Sequence, residues 1–109
     1  MTHLEMIEVL YRIRPGAAWS LDGEGYDALT WMDDAQPQPT EQEVEEGATL
    51  VAWDAVRRER DRLLAACDWT QVADAPVDAA AWAAYRQALR DVPQDYATPD
   101  AVVWPTIPA

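Results

Sequence analysis

Thr40–Cys67 reads TEQEVEEGATLVAWDAVRRERDRLLAAC, and its reading decides the architecture of the whole chain. Thr40, followed three residues later by Glu43, makes a capping box, in which a hydroxyl and a carboxylate satisfy free N–H groups at a helix start. Val44, Ala48, Val51 and Ala55 recur at spacings of four, three and four, and Leu63, Leu64 and Cys67 restore an apolar end after the charged run RRERDR. The pattern predicts a helix over Glu41–Ala66, about 39 Å long at 1.5 Å per residue. Gly47 costs roughly 1 kcal/mol relative to alanine, which marks it as the place for a break or bend. A helix this long outruns a small core, so its apolar stripe calls for a partner or a second copy of the chain.

Upstream, the chain reads as strands. Val9–Arg14 alternates in places, Pro15-Gly16 punctuates, Ala18–Leu21 alternates again, Asp22-Gly23-Glu24-Gly25 turns the chain and Leu29–Met32 makes a third run. The expectation is a small antiparallel meander covering Trp19, Leu21, Leu29 and Trp31, followed by a polar, proline-bearing linker from Asp33 to Pro39.

Downstream, the connector CDWTQVADAP (67–76) leads to a second helix, expected from Ala79 to about Asp91 with Asp78 as N-cap and Pro93 beyond its end. Trp82, Tyr85, Leu89 and Val92 form its apolar stripe. A short connector makes the two helices an antiparallel hairpin, with Trp69 folded between them near Trp82 and Tyr85, and Asp68 or Asp74 meeting Arg86 or Arg90. Thr98–Ala109 holds Pro99, Pro105 and Pro108 and is expected to be extended, with Trp104 as its anchor. The fold class is α+β: a β module over 1–35, then a helical hairpin module with an extended tail over 36–109, the two forming one structural unit.

Composition narrows the function. Twenty acidic residues stand against eight arginines and no lysine, for a net charge of −12, which argues against nucleic acid or an anionic membrane as partner. No run approaches the roughly 20 apolar residues that span a bilayer. The opening MTHLEMIEVLYRIR has neither a basic nor an apolar signal region, and the single Cys67 cannot form an intrachain disulfide, so a reduced cytoplasm is the expected compartment. With no phenylalanine, six tryptophans and four tyrosines must supply much of the packing.

Catalytic chemistry finds little footing. His3 with Glu5 and Glu8 is a poor metal set at a terminus expected to fray. Cys67 sits at the helix end that does not activate a thiol, and reads as a small buried hydrophobe. Asp22–Gly25 lacks the Lys and Ser/Thr of a phosphate loop, and Asp27 does not complete a calcium spacing, which leaves a hairpin turn. In the run Arg57–Arg62 the acids interleave, and Asp54 precedes Arg57 and Arg58 by three and four residues, as in helical ion pairing. Glu24 and Asp27 could be arranged for glycoside cleavage, but nothing in the sequence fixes their separation. No cofactor loop and no nucleophile–base set is present, so a binding protein rather than an enzyme is expected.

The series ERDRLLAACDWTQVADAPVDAAAWAAYRQALRDVPQDY (59–96), followed by VVWPTIP (102–108), resembles the C-terminal module of bacteriophage tail assembly chaperones, and also the end of tail fibre assembly proteins. The resemblance rests on Arg60, Leu63, Leu64, Asp68-Trp69-Thr70, Asp74, Pro76, Trp82, Tyr85-Arg86, Leu89-Arg90, Trp104-Pro105 and Pro108. RPGAAWSLDGEGYDALTWMD (14–33) with PTEQEVEE (39–46) is similar to the small β module that precedes the helices in many phage members. The departure is an alanine-rich, lysine-free composition. The resemblance implies no catalytic residue, cofactor or metal. It implies binding to a phage tail or tail-fibre protein in the host cytoplasm, either as a transient chaperone or as a structural virion component touching the host surface. In the second role Trp19, Tyr26 and Trp31 are the candidate contact rings.

Overall fold

The computed structural model describes residues 1–109. It is α+β: helix α1 (His3–Ile13), a two-stranded antiparallel ladder of β1 (Trp19–Leu21) and β2 (Leu29–Trp31), α2 (Glu41–Ala66) and α3 (Ala79–Asp95), with short 3₁₀ turns between them. Contacts divide the chain into two compact units, Met1–Ala52 and Trp53–Ala109, so that α2 gives its first turns to one and its last turns to the other.

The largest departure from expectation lies at the start. Val9–Arg14 is not a strand but the second half of α1, and the ladder therefore has two strands, not three. Two signals decide it. Thr2 and Glu5 form a reciprocal capping box, and Met6, Val9, Leu10 and Ile13 fall on one helical face, with the first three buried. The terminus is also tied down, because Nδ1–H of His3 donates to the Gly23 carbonyl at 2.7 Å.

The ladder pairs Trp19 with Trp31, Ser20 with Thr30 and Leu21 with Leu29. A loop with Gly23 and Gly25 at positive φ joins the strands, a conformation glycine adopts without a Cβ clash. Met6, Val9, Leu10 and Val44 form the core of the first unit, and Ile13, Trp19, Leu21, Tyr26, Leu29, Trp31, Ala48 and Val51 pack around it.

Helix α2 begins with the expected capping box: Glu43 N–H donates to Thr40 Oγ1 at 3.1 Å, while Thr40 N–H meets Glu43 Oε1 at 3.4 Å. It runs through Gly47 without interruption. The glycine serves packing instead, since a Cβ there would lie 2.7 Å from Val9 Cγ1 and 2.9 Å from Ile13 Cγ2. Only a residue without a side chain allows α1 to approach α2 this closely.

The segment 33–39 is stitched to its unit rather than loose. Asp33 accepts the backbone N–H groups of Ala18, Ala35 and Gln36. Trp31 Nε1 donates to the Gln36 carbonyl, Arg14 Nε to that of Pro37, and the Tyr26 hydroxyl to that of Pro39, which is buried. Arg14 also reaches Glu43 at 2.7 Å. The three N–H bonds hold the Asp33 carboxyl below its ordinary pKa, and the hydrogen bond from Arg14 does the same for Glu43.

Two predictions follow from this unit. Gly47→Ala should lower stability by about 1–2 kcal/mol in urea unfolding, because overpacking against stiff β-branched neighbours outweighs the helix-propensity gain of roughly 1 kcal/mol. Asp33 has a depressed native pKa, so its contribution is present above the unfolded carboxylate pKa and fades as pH falls through the native value. The urea midpoint of Asp33→Asn should therefore lie below that of the wild type at pH 7, and the gap should begin to narrow only below about pH 4 and close below the depressed native pKa.

Candidate functional site

The second unit is organised by the end of α2. The last carbonyls of a helix have no partner within it and must find one elsewhere. Here the Leu64 carbonyl accepts the Cys67 N–H at 3.2 Å, a tightening of the last turn, and Arg86 Nη1 at 2.8 Å. The same Nη1 lies 3.1 Å from Cys67 Sγ, and Nη2 pairs with Asp68 Oδ1 at 2.9 Å. One guanidinium from the middle of α3 thus grips three points where α2 ends and the connector begins. The side chain of Arg86 is only 13% exposed and that of Asp68 is 67% exposed. Burial opposes the charge on Arg86, but the hydrogen bonds to Cys67 and Asp68 outweigh it and raise its pKa.

The connector follows from this lock. Asp68–Gln71 forms a 3₁₀ turn, and Thr70 is buried with its hydroxyl donating to the Cys67 carbonyl at 2.7 Å. Asp78 then caps α3 through the Ala81 N–H. The expected stripe forms on α3: Tyr85, Leu89 and Val92 are buried, and Trp82 is partly so. Tyr85, Leu89 and Cys67 make the core cluster, joined by Leu63, Leu64, Trp82 and Trp104. Burial, with the Cys67 thiol adjacent, pushes the Tyr85 hydroxyl pKa up.

Trp69 is not the buried wedge that the connector suggested. It is 53% exposed and lies against Trp82 with ring centroids 6.2 Å apart. Trp82 in turn meets Tyr85 edge-on at 5.6 Å. The three rings form a ladder that starts in the core and ends at the surface. The 3₁₀ turn explains the difference, because it buries the small Thr70 and leaves its larger neighbour outside.

The other sequence candidates are placed as follows. Arg90 bonds Gln87 on its own helix rather than the connector, and Asp74 stands exposed. Pro93 lies inside α3, which continues to Asp95, because a proline near a helix end forfeits a single N–H bond and does not stop the last turn. The Tyr96 hydroxyl donates to the Val103 carbonyl, and Trp104 and Pro105 are partly buried, so the tail is drawn onto its unit. Beyond a 3₁₀ turn at Pro99–Ala101 it has no regular structure. The run Arg57–Arg62 pairs along α2, Arg57 with Asp54, Arg60 with Asp61 and Arg62 with Glu59. In the first unit, Trp19 meets Tyr11 edge-on, and Trp19, Tyr26 and Trp31 pack against the core. No group of three or more His, Cys, Asp or Glu is placed to hold a metal ion, and no helix is long and apolar enough to cross a membrane.

What sequence reasoning missed in this unit is the set of large apolar side chains left outside: Trp69, Val72 at 57%, Val103 at 70% and Ile107 at 60% exposure, beside others such as Leu4 and Tyr11 in the first unit. Val103 and Ile107 lie in the proline-bounded tail, whose lack of helical period was their signal.

Fold and site together define an acidic α+β protein whose C-terminal unit is a helical module locked by one arginine and carrying exposed apolar side chains. The family model described as phage tail assembly chaperone protein matches residues 53–109, the span of that second unit. The chain belongs to the phage tail assembly chaperone family. Residues 1–52 lie outside the match, and no curated protein and no solved structure matches the chain.

Urea unfolding of three variants checks the geometry of this unit. Leu89→Ala should cost about 2–5 kcal/mol, whereas Trp69→Ala should cost about 1 kcal/mol, the scale of one aromatic contact. Arg86→Lys should cost about 2 kcal/mol, because an ammonium cannot span the three acceptors of the guanidinium fork. Equal losses for Trp69→Ala and Leu89→Ala would contradict the exposed placement of Trp69.

Proposed function

We propose that this family member grips a phage tail or tail-fibre subunit in the host cytoplasm during assembly, through protein–protein contacts and without catalysing a reaction. The observation that carries this reading is the exposure of Trp69, Val72, Val103 and Ile107 on the family-matched unit. Single exposed apolar residues are ordinary. Four large ones in the 57 residues of family-matched chain, one of them propped by a ring ladder, suit side chains that are covered by another protein for part of the chain's life.

The net charge of −12 supports the same role, because it keeps a complex soluble and steers the protein toward basic surfaces. A structural place at the tail or fibre tip, with rings stacking on host-surface sugars, has less behind it. Trp19, Tyr26 and Trp31 pack against the core, and the polar atoms of Tyr26 and Trp31 are engaged by the Pro39 and Gln36 carbonyls.

Co-expression with the tail and fibre subunits of the same phage tests the proposal. The expected result is a higher yield of soluble subunit, a complex on gel filtration, and no copy of this protein in purified particles by mass spectrometry. Equal solubility without it contradicts the chaperone role, and stoichiometric presence in particles favours the structural one.

A further inference from the structure

We propose that Trp69 is the docking platform for an arginine side chain carried on a segment of the tail protein. The inference rests on the chaperone reading and adds the chemistry of what the surface receives.

The ring is prepared for a ligand. Trp82 supports it from behind, and Tyr85, itself buried, supports Trp82 edge-on, so Trp69 is held in place before anything binds. Little ordering entropy then remains to be lost on association.

Charge selects the occupant. Between Leu63 and Tyr85 the chain contains Asp68, Asp74 and Asp78 and no arginine or lysine. Asp78 is occupied in capping α3 and Asp68 meets Arg86 through Oδ1 while staying 67% exposed, and Asp74 is exposed. Of the cations at either end of this stretch, Arg86 is largely buried and committed to Leu64, Cys67 and Asp68, and Arg62 is paired with Glu59, so neither repels an incoming positive group as a free surface cation does. An exposed aromatic ring on an acidic stretch of an acidic protein attracts a guanidinium, which stacks on the indole. The exposed Val72, three residues further along, offers apolar contact to the same segment. Nucleic acid and anionic lipid bring phosphates to this acidic protein and are disfavoured.

The test uses the full-length protein with the tail or fibre subunits it is co-expressed with, and reads complex affinity by calorimetry. Trp69→Ala should weaken binding about ten-fold or more while circular dichroism shows an unchanged fold, and Trp69→Phe should stay within about three-fold of wild type. Affinity should fall as NaCl rises from about 0.05 to about 0.5 M, and less steeply in Asp74→Asn. A complex that Trp69→Ala leaves intact overturns the inference and spares the chaperone reading. Weakening by Trp69→Ala with no salt dependence overturns the cationic partner. Failure of every tail and fibre subunit to bind overturns both readings.

Discussion

The end of a long helix is a chemical obligation, and in the family-matched unit Arg86 shares it with the Cys67 N–H. The guanidinium adds a charge-assisted bond, stronger than a neutral one, to a carbonyl that lies beside a hydrophobic cluster. The guanidinium answers the Leu64 carbonyl, the Cys67 sulfur and the Asp68 carboxylate together, which fixes where α2 stops and how the chain turns. From that fixed turn follow the burial of Thr70, the exposure of Trp69 and the seating of Tyr85 and Leu89 in the cluster.

The first unit solves a different problem by a subtraction. Two helices close in on one another where Gly47 has no side chain, and the hairpin covers what remains of their apolar faces. Its linker is held by polar bonds, above all the three N–H groups converging on Asp33, together with the burial of Pro39. The family match does not extend to this unit, so a role for it follows from its own chemistry.

Much of the architecture was legible in the sequence where two independent signals coincided. Capping box and apolar period together gave α2 its observed bounds, and the stripe from Trp82 to Val92 gave the buried face of α3. The same two signals were present in α1, yet β-branched and aromatic residues around Val9–Ile13 drew the reading toward a strand. Gly47 looked like a weak point because propensity is local, whereas the reason for a glycine lay on another helix. Trp69 was harder still. Its spacing announced an anchor, but whether a tryptophan points inward or outward depends on the 3₁₀ turn that carries it, and no periodicity encodes that. Exposed apolar residues, which bear most on binding, are the class that sequence patterns reveal least, since the patterns are built from what is buried.

The central claim is that one arginine holds the helix end and turn that the family module is built around. Hydrogen exchange, read amide by amide in wild type and Arg86→Lys, tests it most directly. The account predicts a selective loss of protection at Cys67 and Thr70, whose N–H groups close the turn, with α1 amides from Met6 to Ile13 unchanged. Unchanged protection at Cys67 and Thr70 would contradict it.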